Sequence, residues 1–306
     1  MNNKNESTVN EPPSAPASRR RAPREAEPAG LFVHVPFCKK KCTYCDFFSV
    51  PLSTHRVANW LRAVAREAAL YAERFPRFDT LYLGGGTPSV LHLGELDALM
   101  ESLFRAFRFR EGCEITLEAN PDDVTPALLN GWQTLGFNRL SLGVQSLDDG
   151  QLALLGRRHT ARQAALAMEA VRASGFPRSS VDLMYGLPGL TVSAWEEQLR
   201  QVLAHDPGHL SCYQLTVARG TPLGQRHERG LLALPDEEEA GNQFLAASSL
   251  LEDRGYVHYE ISNYARREDP APPETPAPWG PVPPGTSTRN LCRHNMKYWT
   301  RKTYLG

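Results

Sequence analysis

Three cysteines stand close together near the amino-terminal end of the chain, in the segment FCKKKCTYCDFF at residues 37–48. They are Cys38, Cys42 and Cys45, and Phe47 stands where a fourth thiol could have completed the set. Thiolates are soft ligands, and at this density on one loop they favour zinc or an iron–sulfur cluster over a hard cation. The spacing therefore predicts a metal or cluster site in a reducing compartment.

The missing fourth thiol favours the cluster over zinc. Structural zinc sites usually have four protein ligands supplied as two pairs, and the sequence has neither a second Cys-x-x-Cys pair nor a His-x-His pair. A zinc site completed by His34 is the alternative. A cubane cluster held by three thiolates leaves one iron without a protein ligand, and that iron can coordinate a small molecule directly. We therefore expect an iron–sulfur cluster with one open iron.

The segments that must position this loop alternate between strand and helix. Six apolar runs rich in β-branched and aromatic residues predict strands: LFVHV from 31, TLYL from 80, EITLEA from 114, RLSLGV from 139, SVDLMY from 180 and LSCYQLTV from 210. The longer segments between them repeat apolar residues at helical spacing, as in HRVANWLRAVAREAALYAERF and SAWEEQLRQVLAHD. This alternation predicts parallel strands with right-handed crossovers. An open doubly wound sheet and a partial barrel both fit the pattern.

Unusual residues follow the predicted strands where those strands end. The cysteines follow the first strand, and GGGTPS from 84 follows the second. Glu118, Gln145 and Asp182 end the third, fourth and fifth strands. In parallel α/β folds the functional loops gather at the carboxyl ends of the strands. We therefore expect these five loops to meet in one pocket, although the triple glycine taken alone could be an ordinary turn.

The overall composition points to a small molecule or another protein as the partner. Lys+Arg and Asp+Glu both total 34 in the 306 residues, so no global basic field favours nucleic acid or an anionic membrane. No apolar run approaches the roughly 18 residues that a membrane span requires, and no secretory signal begins the chain. Six cysteines are too few for a disulfide scaffold. These features predict a soluble cytoplasmic protein.

Two segments have compositions that do not predict regular structure. Residues 1–29 are rich in Pro, Ser, Glu and Arg, and are expected to form a disordered tail. Residues 269–285 are rich in proline and are expected to form an extended surface insertion, which we bound at 266–290. The predicted domain layout is therefore the tail, an α/β domain at 30–265, the insertion, and a further segment at 291–306.

At these motifs the sequence resembles a known family. The Cys-x-x-x-Cys-x-x-Cys spacing is similar to the signature of the radical S-adenosylmethionine (SAM) enzymes, in which a [4Fe–4S] cluster binds SAM at its open iron. The segments HVPFCKKKCTYCDF, LYLGGGTPS, EANP, LSLGVQS, LLGRRH, DLMYGLPG and YEISNYA resemble the branch that contains the oxygen-independent coproporphyrinogen III dehydrogenase and the HemW-type heme chaperones. The resemblance runs from about residue 31 to the last residue. It implies an α/β fold with a partial (β/α)6 TIM-like barrel.

The resemblance also implies which residues contact the cosubstrate. By motif, these positions are Phe32, Tyr44, Gly85, Gly86, Thr87, Glu118, Gln145, Arg157 and Asp182. Tyr44 matches the residue that packs against the adenine, and the glycine turn matches the segment that meets the methionine amino group. Phe32 stands where the dehydrogenase has a tyrosine, so that hydroxyl contact is lost.

Two places in the sequence favour the chaperones within this branch. The dehydrogenase has a further cysteine two residues after the triad, where this chain has Phe47. HNMKYW at 294–299 matches the His-Asn-x-x-Tyr-Trp motif of the heme chaperones, which implies His294 as a heme ligand; Cys292 is the alternative thiolate ligand. The resemblance therefore implies a protein that binds heme, SAM and a [4Fe–4S] cluster and passes heme to an acceptor protein. Oxidative decarboxylation of coproporphyrinogen III is the alternative activity.

Partners and chain length give the remaining expectations. Lys39, Lys40 and Lys41 could dock an acidic electron donor such as a flavodoxin, or could be a solvated charge run. Homodimerisation is plausible beside the charged cluster loop, and no nucleic-acid partner is expected. Members of the family continue past YLG with a mostly helical domain, so this chain is expected to lack the carboxyl-terminal domain.

Overall fold

A computed structural model describes residues 27–75, 77–268 and 289–306. Most of the predicted tail and most of the predicted proline-rich insertion lie outside these residues. Within the described part, no helix is both long enough and apolar enough to cross a lipid bilayer.

The secondary structure alternates much as the sequence predicts. The strands are β1 Ala29–Val35, β2 Phe37–Cys38, β3 Val50–Pro51, β4 Arg77–Gly85, β5 Arg108–Ala119, β6 Arg139–Gln145, β7 Ser179–Tyr185, β8 His209–Gln214, β9 Tyr256–His258, β10 Asn263–Arg266 and β11 Tyr304–Leu305. The helices are α1 Thr54–Tyr71, α2 Leu93–Ala106, α3 Pro126–Thr134, α4 Asp149–Leu155, α5 Ala161–Ala173, α6 Val192–Leu203, α7 Pro222–Glu228, α8 Glu237–Asp253 and α9 Arg293–Trp299.

Strand order distinguishes the two architectures that the sequence left open. The nine-stranded sheet runs β11-β1-β4-β5-β6-β7-β8-β10-β9, so its six central strands follow one another in chain order and are parallel. A doubly wound sheet reverses its strand order at a switch point, and this sheet does not. β1 and β8 do not pair, so the barrel is open. The predicted partial (β/α)6 barrel is confirmed.

Local sequence signals explain where the helices begin. Thr125, Thr160 and Thr191 each stand at a helix N-cap, where the side-chain oxygen accepts a hydrogen bond from a backbone N–H of the first turn. The helices then bury their apolar faces against the outer face of the strands, as Trp132 of α3 and Trp195 of α6 do with no exposed surface. Burial of such side chains supplies most of the packing free energy.

The inner face of the barrel is polar and is closed at one end by α9. Glu114 of β5 is fully buried, 3.8 Å from the Arg139 guanidinium and 3.5 Å from that of Arg178. The backbone N–H of His294 donates to Glu114 Oε1 at 3.1 Å. Arg139 donates to the carbonyl oxygens of Asn290 and of the next residue, at 3.2 and 3.3 Å. Buried charges therefore anchor residues 290–294 against the interior of the barrel.

Candidate functional site

A cavity of about 450 Å³ opens at the carboxyl ends of the central strands. Its walls include the three clustered cysteines and every predicted cosubstrate residue except Phe32: Cys38, Cys42, Cys45, Tyr44, Gly85, Gly86, Thr87, Glu118, Gln145, Arg157 and Asp182. The structure therefore brings together residues that are up to about 140 positions apart in the chain, as expected for loops that follow parallel strands.

The cysteine loop is fixed to the barrel at several points. β2, which ends at Cys38, pairs with β3. Lys39 Nζ lies 2.6 Å from Asp123 Oδ1, and the Asp123 side chain is only 1% exposed. Between the second and third cysteines, Thr43 donates its backbone N–H and its hydroxyl to the carbonyl oxygens of Leu155 and Leu154, at 3.0 and 2.7 Å. The loop is thus preorganised before any cofactor binds.

The donor set fits a cluster better than a single ion. All three thiols are free and partly exposed. Among the described residues, no three His, Cys, Asp or Glu side chains converge closely enough to share one metal ion; a cubane does not need such convergence, because each thiolate binds a different iron. The His34 ring, considered above as a zinc ligand, does not line the cavity, and its Nε2 lies 2.9 Å from the Phe48 carbonyl oxygen.

Arg157 connects the cysteine loop to two strand ends. Its Nη1 lies 3.5 Å from Cys42 Sγ, and its Nη2 donates to Asn120 Oδ1 and to the Gly143 carbonyl oxygen, both at 2.5 Å. Burial raises the pKa of the Tyr44 phenol, against the opposing effect of the nearby Arg157 cation. A guanidinium in this position donates toward the Cys42 sulfur and can also face an anionic group in the cavity.

The glycine turn lies against the cysteine loop with no room for side chains. Gly86 and Thr87 donate their backbone N–H groups to the carbonyl oxygens of Val35 and Phe37, at 2.8 and 2.9 Å. The Thr87 hydroxyl lies 3.6 Å from Cys38 Sγ. Gly85 has φ +107, a conformation that favours glycine. These contacts place the turn directly beside the thiols, so the turn is not an ordinary surface loop.

Two half-buried carboxyl groups, those of Glu118 and Asp182, line the cavity. Glu118 Oε1 accepts from the Tyr82 hydroxyl at 2.9 Å, and Oε2 accepts from the Gly85 N–H at 3.1 Å. Asp182 accepts from the hydroxyls of Ser141 and Ser180, at 2.7 and 3.2 Å. Burial, and then the nearby Asp182, raise the pKa of Glu118 to about 7. Burial also raises the pKa of Asp182. A cationic ligand that enters here would relieve this repulsion.

The raised pKa of Glu118 predicts a pH-dependent stability defect. The folded chain holds the proton up to about pH 7, whereas the unfolded chain releases it at the ordinary lower pKa, so stability is lost as the pH rises between the two values. We expect Glu118→Gln to be increasingly more stable than wild type from pH 5.5 to pH 8. The gain should be at most about 3 kcal/mol, because a shift of one pKa unit corresponds to about 1.4 kcal/mol.

Thermal unfolding without added cosubstrate measures this difference. Glu101→Gln, at an exposed position of α2, is the matched control and should track wild type at each pH. A difference between Glu118→Gln and wild type that stays constant across the pH range would contradict the prediction.

Two of the predicted cosubstrate residues, Gln145 and Phe32, have unusual positions. Gln145 ends β6 with φ 69 and lines the cavity; a left-handed conformation is uncommon for a residue other than glycine, asparagine or aspartate. Phe32 does not line the cavity. Its ring stacks on Tyr82 at a centroid distance of 5.8 Å, deeper in the barrel. Tyr82 itself lines the cavity, so it stands between Phe32 and the open space.

His294, the predicted heme ligand, lies inside the barrel. It is 1% exposed. Its Nδ1 is 2.8 Å from Thr80 Oγ1 and its Nε2 is 2.9 Å from the Tyr298 hydroxyl. Burial, and then the Lys297 cation, lower its pKa to about 4, so the imidazole is neutral near pH 7 and is in the protonation state that binds metals. The alternative ligand, Cys292, is also buried, and burial raises its pKa to about 12.

The lysines beside the cluster loop are partly occupied within the chain. Besides the ion pair of Lys39, the Lys41 ammonium donates to the Phe47 carbonyl oxygen at 2.9 Å. Both Lys40 and Lys41 line the mouth of the cavity. The loop therefore presents less free positive charge to an electron donor than its sequence suggests.

The cavity wall contains several residues that were not predicted from the sequence. The structure adds Tyr82, Ser141 and Tyr213 to the cavity wall. Tyr82 lies two residues before the first glycine of the turn, and Ser141 lies two residues before Gly143. Alternate residues of a strand share a face of the sheet. That signal could have identified both side chains once one inward residue of each strand was known.

A larger cavity of about 600 Å³ lies elsewhere, lined in part by Arg178, His205, Arg267 and Arg289. It contains none of the predicted site residues. Its lining includes residues on both sides of the segment 269–288, which the structure does not describe, so we do not assign the functional site to this cavity.

Comparisons with known proteins agree with this geometry. Residues 32–202 match the radical SAM superfamily. The chain is 35% identical to radical S-adenosyl methionine domain-containing protein 1, mitochondrial, of Mus musculus, over 98% of this chain and 62% of that protein. It is 34% identical to the heme chaperone HemW of Mycobacterium tuberculosis, over 93% of this chain and 69% of that protein. The chain thus spans less than two thirds of the length of several relatives that it matches.

A solved structure shows the same relationship. Coproporphyrinogen III oxidase (HemN) from Escherichia coli, described as a radical SAM enzyme, superposes with a TM-score of 0.72 at 27% sequence identity, over 80% of this chain and 57% of that one. Family match, relatives and superposition all agree with the cysteine loop and the barrel. The chain belongs to the radical SAM superfamily, in the branch that includes the HemW heme chaperones.

Proposed function

We propose that this chain belongs to a heme chaperone that binds a [4Fe–4S] cluster, SAM and heme, and transfers heme to an acceptor protein. The observation that carries the proposal is the cavity in which the three-thiol loop, the glycine turn and the half-buried carboxyl pair share one space. The names of the HemW relatives support the heme function.

The residues of the cavity suggest a division of roles. Cys38, Cys42 and Cys45 would hold the cluster, whose open iron supplies a Lewis-acidic site for a chelating ligand. Gly86 lets the turn pack directly on the backbone that leads to the cysteine loop, while the carboxylate of Glu118 would accept hydrogen bonds from an ammonium or hydroxyl group. Together with Arg157, these groups provide both signs of charge, which suits the zwitterionic methionine end and the sulfonium of SAM.

Heme ligation by His294 requires one local movement. The Nε2 atom is covered by the hydroxyl of Tyr298, which is itself 40% exposed. Trp299 and Tyr304 beside it are 52% and 51% exposed. If Tyr298 swings outward, a neutral imidazole becomes accessible beside exposed aromatic rings, and such rings suit the flat apolar face of a porphyrin.

An anaerobic hemin titration of the cluster-reconstituted protein, followed in the Soret region, tests this function. We expect saturable one-to-one binding that His294→Ala weakens at least tenfold without loss of the cluster absorbance, because a ligand bond to iron is removed. His55→Ala, at an exposed position of α1, is the matched control and should bind like wild type. Weak binding without a defined stoichiometry, unchanged in His294→Ala, would contradict the proposal.

Oxidative decarboxylation of coproporphyrinogen III is the second candidate function, and the superposition on HemN favours it. Phe47, 63% exposed at the mouth of the cavity, occupies the position of the dehydrogenase's additional cysteine and argues against it. Anaerobic incubation of the reconstituted protein with SAM, a reductant and coproporphyrinogen III tests this activity. Formation of protoporphyrinogen would replace the chaperone function with the enzymatic one.

The remaining partners are also proposals. A flavodoxin-type donor would meet the loop at Lys40, since Lys39 is paired with Asp123. We also propose that the cluster-loaded form is a homodimer and that the protein is cytoplasmic. Because two of the relatives are named as mitochondrial proteins, cell fractionation should test the location.

A further inference from the structure

Tyr82 lies at the boundary between the cosubstrate cavity and the interior of the barrel. It lies on β4, two residues before the first glycine of the turn, and its hydroxyl donates to Glu118 Oε1 at 2.9 Å. Burial raises the pKa of the Tyr82 phenol well above its usual range. The phenol therefore keeps its proton and acts toward Glu118 only as a donor.

The Glu118 carboxylate has little freedom apart from this contact. Its second oxygen accepts from the Gly85 N–H at 3.1 Å. A Cβ atom at Gly84 would lie 2.8 Å from Oε1, so the carboxylate occupies space that a side chain there would need. Three groups of β4 thus determine where Glu118 points, and of these only the Tyr82 hydroxyl belongs to a side chain.

The Tyr82 ring is held in turn from inside the barrel. It lies nearly parallel to Phe32, with centroids 5.8 Å apart and an interplanar angle of 20°. Its centroid is 5.2 Å from that of the His294 ring. His294 is itself fixed by Thr80 and Tyr298 through its two ring nitrogens. The segment 289–299 therefore supports the Tyr82 ring, and Tyr82 supports Glu118.

We propose that Tyr82 is a positioning residue of the cosubstrate site, which orients Glu118 through its hydroxyl and is oriented by His294. This rests on the proposed function in one respect, the assignment of Glu118 to SAM binding. It gives His294 a role inside the barrel that is independent of heme.

Isothermal titration of cluster-reconstituted protein with SAM, under anaerobic conditions, tests the proposal. Tyr82→Phe keeps the ring and removes the hydroxyl. We expect SAM binding to weaken on the order of tenfold at pH 7, because Glu118 loses the hydrogen bond that orients it. Tyr71→Phe, on α1 and outside the cavity wall, is the matched control and should bind like wild type.

The pH dependence separates positioning from a general structural defect. Because the Tyr82 hydroxyl lowers the pKa of Glu118, its removal should move the pH midpoint of SAM binding upward, whereas a loosened fold would weaken binding without moving the midpoint. The titratable groups that face Glu118 are Tyr82 of β4, Asp182 of β7 and Tyr213 of β8. Wild-type affinity in Tyr82→Phe would overturn the proposal, and so would weakened binding with an unshifted midpoint.

A double-mutant cycle tests the part played by His294. If His294 acts through Tyr82, then His294→Ala should weaken SAM binding several-fold in the wild-type background and have little further effect in Tyr82→Phe. Fully additive losses would overturn this part. These titrations contain no heme, so a failed hemin titration with normal SAM binding would refute the chaperone function alone. Unchanged SAM affinity in Tyr82→Phe would refute the positioning role alone.

Discussion

Cys42→Ser should abolish assembly of the iron–sulfur cluster. A serine hydroxyl is a hard donor that stays protonated at neutral pH, so two thiolates would remain for a cluster that needs three. The substitution also removes the sulfur that lies 3.5 Å from Arg157, so the guanidinium loses a charge partner on the cluster side. We expect less than about a tenth of the wild-type iron and sulfide after anaerobic reconstitution, and no spectral response to SAM.

Cys113→Ala is the matched control for loss of a thiol. Cys113 is buried in β5, where burial raises its pKa to about 12, so it is a core residue without ligand character. The control should reconstitute like wild type at a stability cost of about 1 kcal/mol. A full complement of iron and sulfide in Cys42→Ser, with a wild-type absorption spectrum, would refute the three-thiol assignment.

Gly86→Ala should displace the cysteine loop. A Cβ atom at this position would lie 2.7 Å from the Val35 carbonyl oxygen, 2.8 Å from that of Phe37 and 2.9 Å from the Phe37 backbone nitrogen. These are backbone atoms of the strand and the loop that lead to Cys38, so they cannot yield by a side-chain rotation. Relief requires the glycine turn and the thiol loop to separate, which would also break the hydrogen bonds between them. We expect a loss of about 3 kcal/mol in stability and markedly reduced cluster content.

Gly94→Ala isolates the effect of the clash. Gly94 lies in the first turn of α2, and an added Cβ there would meet nothing within 4 Å. Because alanine favours helix more than glycine does, this variant should be as stable as wild type or slightly more stable. Chemical denaturation together with iron and sulfide analysis compares the two variants. A Gly86→Ala protein that matches Gly94→Ala in both measurements would show that the turn tolerates a side chain.

Periodicity identified the elements of the fold but not their arrangement. The six central strands were predicted, and their common chain order was not, because an apolar strand has the same composition in a barrel and in a doubly wound sheet. The helix α8, Glu237–Asp253, follows β8 and was not identified, since its buried face includes the polar residues Gln243 and Ser248. The antiparallel pairs at β9 and β10 form an edge that short strand signals do not specify.

For the site as well, the sequence predicts which loops meet, whereas tertiary packing determines where some side chains lie. The loops at strand ends were predicted to meet because parallel strands require it. Burial of His294 was not predictable, since its motif lies far from Thr80 in sequence and only the folded barrel brings them together. Phe32 likewise turns toward Tyr82 instead of the cavity. Side chains whose partners are distant in sequence are the ones that sequence patterns cannot place.

The pairing of β11 with β1 has a consequence for synthesis of the chain. Gly30 and Leu31 pair with Tyr304 and Leu305 on the outer edge of the sheet. At about 5–20 residues per second, the ribosome would therefore leave that edge of β1 without its neighbour for on the order of tens of seconds. Unpaired edges template aggregation, and the cysteine loop directly follows β1. Cluster insertion into the cysteine loop would thus be favoured once residues 304 and 305 have been synthesised and cover this edge.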